Sequence, residues 1–540
     1  MIIFQFRSRI RNSNFDNLPQ VVANEAENVV SQYRRNHSGR ESENVIELIN
    51  NYSIAWLRNR NHSIFGESLD NTLLRDTIRR IGAVVNHPLF QPQMADNFFR
   101  QMQLNSQEEN TITGRLRMIN TFVAILDAAQ NCETFRIAVI PILRNRETRM
   151  LITKIGEIAQ IINQTTEQRQ RNSLGNLTAQ ALRVTRGDAT HGDQRPFVLR
   201  DLIAQINNTN GGRTVGENIE IAAYIDANTR TNSLGTMTNY FRLLRNQNIT
   251  GEQFREFFDL VEGARPEFRR FIFTRPDQIF GTDENAIARI VGSVARARAE
   301  LRRLNEIENN ELIVNFAYGI AILGVIRTRS LAQTNGIRYF CRYTRELLQE
   351  SYAHSQSRLT EGEESTTKGY LIAQGRDDWN GAFYYNAHKH DQLRRGYRVV
   401  IIEDNNDNAL FRRALQMRNR IGSRFWDGTL AGHGNATSIQ LGRTRNDGGL
   451  LDTNDSEIRS ILPRLFRRGC RITLNACSTG RNSSRYSIGE MIADTLGGTV
   501  YVPPTDAALQ RYILNSAGRV VGARFDEVRP GLERVVPRRN

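Results

Sequence analysis

Between residues 366 and 510, short apolar runs alternate with helix-forming segments, and this alternation limits the fold more than any other feature of the 540-residue chain. Arg398-Val399-Val400-Ile401-Ile402-Glu403 is a continuous β-branched run, the pattern of a strand buried on both faces. Tyr370 to Ala373, Thr429 to Gly432, Ile472 to Ala476 and Thr499 to Val502 read as further strands. Helices fall between them. Ala387 to Arg395 is one, and a second turns Leu410, Phe411, Ala414 and Leu415 inward and Arg412, Arg413 and Arg418 outward. A third opens on Ser487 with Glu490 three residues later, a capping box, and closes at Gly497-Gly498. The expectation is an α/β domain, a mostly parallel sheet with helices on both faces, over residues 366–540.

Residues 1–360 read as a large, mainly α-helical region. Leu151, Ile155, Ile158 and Ile162 form one apolar stripe, and Leu116, Ile119, Phe122, Val123 and Leu126 form another. The Asn- and Gly-rich stretch 207–212 marks a break between two helical subdomains, and the polar stretch 361–367 reads as the linker to the α/β part.

Composition removes several functions. Four cysteines in so long a chain cannot make a disulfide scaffold, and their spacing gives no zinc motif. No cofactor or metal is expected. His388 and His390 lie two apart, do not share a helix face, and read as solvated surface. Asp404 and Asp407 read as helix-capping carboxylates rather than Ca2+ ligands. The net charge of +15 is spread along the chain with acids interleaved, so nucleic acid is not expected as the main partner. Leu312 to Ile326, the most apolar stretch, is too short to span a membrane and reads as a buried helix. The start of the chain offers no secretory leader, so a cytoplasmic protein is expected.

Two strand ends carry reactive side chains. Gly432-His433-Gly434-Asn435 and Asn475-Ala476-Cys477-Ser478-Thr479-Gly480 are separated by about one strand–helix–strand excursion. Both would therefore surface on the edge of the sheet where α/β proteins gather their chemistry. The glycines let the backbone turn and a substrate approach. A thiol near its free pKa of about 8.5 is little ionised at neutral pH, so an adjacent imidazole supplies it with a base and a proton donor. Cys470, by contrast, reads as a small buried hydrophobe or a turn residue.

These two motifs resemble the His-Gly and Ala-Cys motifs of caspase-like (clan CD) cysteine peptidases, closest to the CHAT and metacaspase branches. The resemblance covers residues 366–510. It implies a caspase-like α/β/α sandwich and peptide-bond hydrolysis of a protein substrate through an acyl-enzyme. Cys477 would be the nucleophile and His433 the general acid/base, with the backbone N–H groups of Gly434 and Cys477 as the oxyanion hole. No third member of the site is legible, and a Cys-His dyad is expected. The specificity pocket would be lined by Arg376, Asp377, Asp378 and Asp506. Carboxylates there favour a basic P1 residue, whereas Arg376 would take an acidic one. The helical region would bind a regulatory protein or restrain the catalytic domain. The alternative is a non-catalytic caspase-like module with the helical region as the partner-binding scaffold.

Only Lys154, Lys368 and Lys389 are lysines among 72 basic residues. The chain is also rich in Asn and Ile, which argues against codon drift towards GC. Few lysines leave few amines for ubiquitin, as suits an effector or toxin translocated into a host cytosol, and they also suit a Lys-cutting protease that spares itself.

Overall fold

Stripes of period 3.6 build the helices of this chain, and β-branched runs build its sheet. The structure is a computed structural model. It describes residues 19–37, 43–49, 51, 71–102, 112–184, 193–210, 212–229, 232–245, 249–281, 283, 285–360, 362–363, 367–378, 380–442, 449–480, 486–503, 505–526 and 534–535. The chain divides into two compact units, residues 1–209 with 213–241 and residues 210–212 with 242–540.

The first unit is helical. Leu151, Ile155, Ile158 and Ile162 are all fully buried on the Arg149–Gln164 helix. That helix opens on Thr148, whose hydroxyl accepts the Leu151 N–H, and packs on the Ile112–Asn131 helix. On the latter Ile119, Phe122 and Leu126 are buried, while Leu116 and Val123 sit half-buried at the margin of the stripe. Arg195, itself buried, pairs with Glu147 at 2.7 Å and Asp193 at 2.9 Å, so this interior cation is compensated.

In the second unit β1 (Gly369–Gly375), β2 (Arg398–Asp404), β3 (Phe425–Ala431), β7 (Phe466–Asn475) and β8 (Thr499–Tyr501) form the parallel sheet expected from the sequence. Its order is β11-β8-β7-β3-β1-β2, with β11 (Arg534–Val535) antiparallel on β8. Between β3 and β7 the chain adds a small antiparallel sheet of β4 (His433–Asn435), β5 (Ser438–Gln440) and β6 (Leu450–Asp452). After β8 it adds the hairpin of β9 (Leu509–Leu514) and β10 (Val520–Phe525). Neither was foreseen, because three-residue strands and mixed polar runs carry no clear period-2 signal.

Alternation along each strand divides the two faces. Leu371, Ala373, Val400, Ile402, Leu430, Ile472 and Leu474 join one core with Leu410, Phe411, Ile458, Leu462, Met491 and Ile492, from the helices Asp407–Ile421, Ser456–Leu465 and Ile488–Leu496. The capping box of the last of these is formed: Ser487 and Glu490 each bond the other's backbone N–H. On the opposite face Tyr370, Thr429 and Tyr512 of the β9–β10 hairpin share a hydroxyl chain, 2.8 Å per link, that ends on His390 Nδ1 at 3.0 Å. His390 is 1% exposed, which corrects the solvated-surface reading for that residue, while His388 is exposed as expected; the hairpin covers His390.

The boundary expected at 360–366 falls inside this unit, whose helices begin at Gly251–Glu262. The reason is the edge of the sheet. β2 is an outer strand, and an unpaired edge needs partners for its backbone groups. The Arg345–Gln356 helix supplies them: Ser351 Oγ accepts the Ile401 N–H at 3.0 Å and Glu350 accepts that of Val399 at 3.3 Å. Asn335 donates to the Ile401 carbonyl at 2.8 Å. The apolar Asn310–Leu323 helix is buried almost throughout, and among the described residues no helix is long and apolar enough to cross a membrane.

Two outcomes follow for stability. A 242–540 fragment unfolds cooperatively in urea, whereas a 366–540 fragment, with the β2 edge bare, shows no cooperative transition. Burial also holds His354 and His390 down to about 4 from the usual 6.5. Below pH 6.5 the unfolded chain therefore binds protons that the folded one refuses, and stability falls as pH drops from 6.5 towards 4. Between pH 7 and pH 5 the loss is about 2 kcal/mol per histidine, read from the urea midpoint of the 242–540 fragment, and His390→Phe removes its share.

Candidate active site

The parallel strands run in the order second-first-third-fourth-fifth, so β2 lies on one side of β1 and the later strands, starting with β3, on the other. In such sheets the crevice at the carboxyl ends, where the winding reverses, is the natural binding place. The residues that follow β1, β3 and β7 meet there.

After β1, Asp378 is fully buried. One carboxylate oxygen accepts the Phe383 N–H at 2.9 Å and lies 3.9 Å from Arg342 Nη2; the other faces His433 Nε2 at 3.6 Å. Burial by itself raises the pKa of this carboxyl, but the His433 contact and the Arg342 charge outweigh it and hold the group below its ordinary value. Asp378 is therefore an ionised group turned toward an imidazole, and not a pocket residue as its sequence position implied.

Its neighbours are differently placed. Arg376 donates to the Gly336 carbonyl at 3.1 Å and stands 3.8 Å from Asp404, on the β2 side. Gly336 has φ +76°, and a Cβ there would lie 2.2 Å from the Glu403 carbonyl, so only glycine lets this turn reach the sheet. The Asp377 N–H bonds the Leu441 carbonyl at 3.4 Å. Asp404 pairs with Arg413 at 2.8 Å, and Asp407 accepts the Asn408 N–H. Among the described residues no group of three or more His, Cys, Asp or Glu is placed to hold a metal ion.

After β3, His433 opens β4 and is paired with Gln440 of β5. Its ring lies against Phe383, centroids 5.4 Å apart at 32°. Gly434 is pressed onto the β7 end: a Cβ there would come within 2.8 Å of Ala476 Cβ and 2.9 Å of the Cys477 carbonyl. This close approach brings the two motifs together, and any side chain at 434 would push them apart.

After β7, Cys477 is half-buried, whereas Cys132, Cys341 and Cys470 are all buried. The next residue, Ser478, has φ +55°, an uncommon left-handed conformation for a non-glycine residue. The turn is strapped to the segment after β8. Ser478 N–H bonds the Thr505 carbonyl at 2.9 Å, its hydroxyl bonds Asp506 at 2.5 Å, and Gly480 N–H bonds the Pro503 carbonyl at 3.0 Å. Asp506 thus holds the turn that presents Cys477. Burial first, and Asp506 second, push the Cys477 thiol above its ordinary pKa, while its own backbone N–H pulls the other way.

Asp378, His433, Gly434, Cys477 and Asp506 are brought to one edge of the sheet; Arg376 follows β1 at that edge too, but its side chain is engaged by Gly336 and Asp404. Sequence reasoning missed Asp378 as the partner of His433, and missed Arg342 altogether. The first was legible as a carboxylate just beyond a strand end; the second, from a short turn far upstream, carried no signal. The loop 481–485 lies outside the described residues, as do positions 361 and 364–366 of the expected linker.

The three buried thiols and the half-buried one separate cleanly by reactivity. Iodoacetamide on the folded chain labels Cys477 first, located by peptide mass spectrometry. Its rate keeps climbing beyond pH 9 because the thiol pKa is raised, and Asp506→Asn speeds labelling at pH 8 about 2- to 10-fold.

No protein-family model, curated protein or solved structure matches this chain.

Proposed function

We propose that the chain is a cysteine endopeptidase of the caspase-like kind, with Cys477 as nucleophile, His433 as general acid/base and Asp378 as the group that orients and compensates His433. One observation carries this reading: the Asp378–His433 contact at 3.6 Å, on the same strand-end edge where Gly434 abuts Cys477. Two strand-end motifs that merely capped turns would have no need of an ionised, buried carboxylate behind the imidazole.

The chemistry follows from these placements. Cys477 rests as a neutral thiol, so its proton must leave as it attacks. His433 turns Nε2 toward Asp378, which leaves Nδ1 as the ring nitrogen that takes the thiol proton. Sulfur then bonds the scissile carbonyl carbon, and the oxyanion meets the N–H groups of Gly434 and Cys477. His433 returns the proton to the leaving amine as the C–N bond breaks, and water hydrolyses the thioester with His433 again as base. The 3.6 Å contact is longer than a hydrogen bond and shortens when the imidazolium forms.

With Arg376 engaged on the β2 side, the exposed carboxylate of Asp506, whose charge acts on Cys477, supports a basic P1 residue. A preference for lysine spares the enzyme itself. Of its three lysines, Lys154 pairs with Glu157 and Lys389 donates to the Leu509 carbonyl. The same scarcity suits an effector that must avoid ubiquitin in a host cytosol.

A peptide library varied at P1 tests the proposal. The wild-type chain cleaves it with basic P1 preferred. Cys477→Ala and His433→Ala each lower kcat/KM by at least about 10³-fold, and Asp378→Asn by roughly 10²- to 10⁴-fold. Equal activity of all four proteins overturns the reading. A wild-type chain that cleaves nothing, yet binds partners through its helical region, supports the non-catalytic module instead.

A further inference from the structure

We propose that Arg342, which belongs to the helical layer and not to the α/β core, is a positioning residue that fixes the loop after β1 and sets, through Asp378, the charge that His433 meets. This rests on the peptidase reading for its consequence but on geometry for its content. Arg342 is fully buried. It donates to the carbonyls of Gly375 at 3.2 Å and Arg376 at 2.8 Å, the last residue of β1 and the first beyond it. Its remaining charge lies between two fully buried carboxylates, Asp378 at 3.9 Å and Glu403, at the end of β2, at 3.7 Å. The rings of Tyr339, Tyr384 and Phe383 close over it, with its Cζ 4.0 to 5.4 Å from their centroids.

The charged neighbours of this cluster define its balance. Glu403 is held by the N–H groups of Arg338 and Tyr339 and by the Tyr343 hydroxyl at 2.7 Å. Arg265 donates to the Asp378 carbonyl at 3.2 Å, but its own charge is met by Glu311. His433 faces Asp378 and Phe383, and Cys477 and Asp506 stand across the site. Around His433 and Asp378 the buried charges are thus two carboxylates and one cation. Removing the cation leaves His433 against an uncompensated pair and raises the pH at which it loses its proton. Removing Glu403 leaves more of the Arg342 charge to Asp378 and lowers that pH.

The test reads His433 directly, without a peptide substrate. The full chain is labelled with 15N-histidine and titrated by NMR, the His433 signal being assigned by its loss in His433→Gln. The His433 signal titrates at higher pH in Arg342→Met than in the wild-type chain, at an unchanged pH in Arg342→Lys, and at lower pH in Glu403→Gln. Glu403→Gln keeps the fold testable if Arg342→Met does not fold, since a glutamine oxygen can accept the two N–H groups while its amide donates to Tyr343. Unmoved titration in Glu403→Gln, with an unchanged circular dichroism spectrum, overturns the proposal, as does an unmoved folded Arg342→Met. Moved titrations in a chain that cleaves no peptide sustain the positioning role and sink the peptidase reading. Cleavage with unmoved titrations does the reverse.

Discussion

A single guanidinium, Arg342, lies where the helical layer meets the carboxyl ends of β1 and β2. Taking such a charge out of water is costly, and here the cost is offset by two carboxylates, two carbonyls and the faces of three aromatic rings. The consequence is mutual dependence. Asp378 stays ionised in the interior because Arg342 and His433 are beside it, and the loop that carries Asp378 has its shape because Arg342 ties it down. Glu403, on the next strand, is fixed by the same cation and by the turn around Arg338 to Tyr343.

This arrangement explains why the helices from residue 251 onward belong with the sheet. A parallel sheet needs both faces and any exposed edge covered. The local helices cover one face, the β9–β10 hairpin and the His390 segment cover part of the other, and the Arg345–Gln356 helix satisfies the β2 edge. The site is then assembled from four separate stretches of chain: the loop after β1, the β3–β4 turn, the β7 end and the strap that includes Pro503, Thr505 and Asp506.

Much of this was legible beforehand, and for identifiable reasons. The β-branched run at 398–403 became β2, and the Ser487–Glu490 capping box opens its helix. The stripe from Leu151 to Ile162 is buried residue for residue. Each of these is a local signal, decided within one turn or one strand. The readings that failed were those requiring knowledge of a distant partner. His390 looked solvated because the hairpin that buries it comes more than a hundred residues later. Arg376 looked free to bind substrate because Gly336 and Asp404 are not its sequence neighbours.

The sequence by itself determined the α/β character of the last third, the helical nature of much of what precedes it, and the placing of His433 and Cys477 just beyond strand ends, because periodicity and glycine placement act over short range. Only the tertiary structure decided that Asp378 backs His433, that Asp506 holds the Cys477 turn, and that helices before residue 360 complete the sheet. Those outcomes depend on which charges and bare backbone groups are buried together. A buried charge selects its partner by distance in space, which the order of residues along the chain does not record.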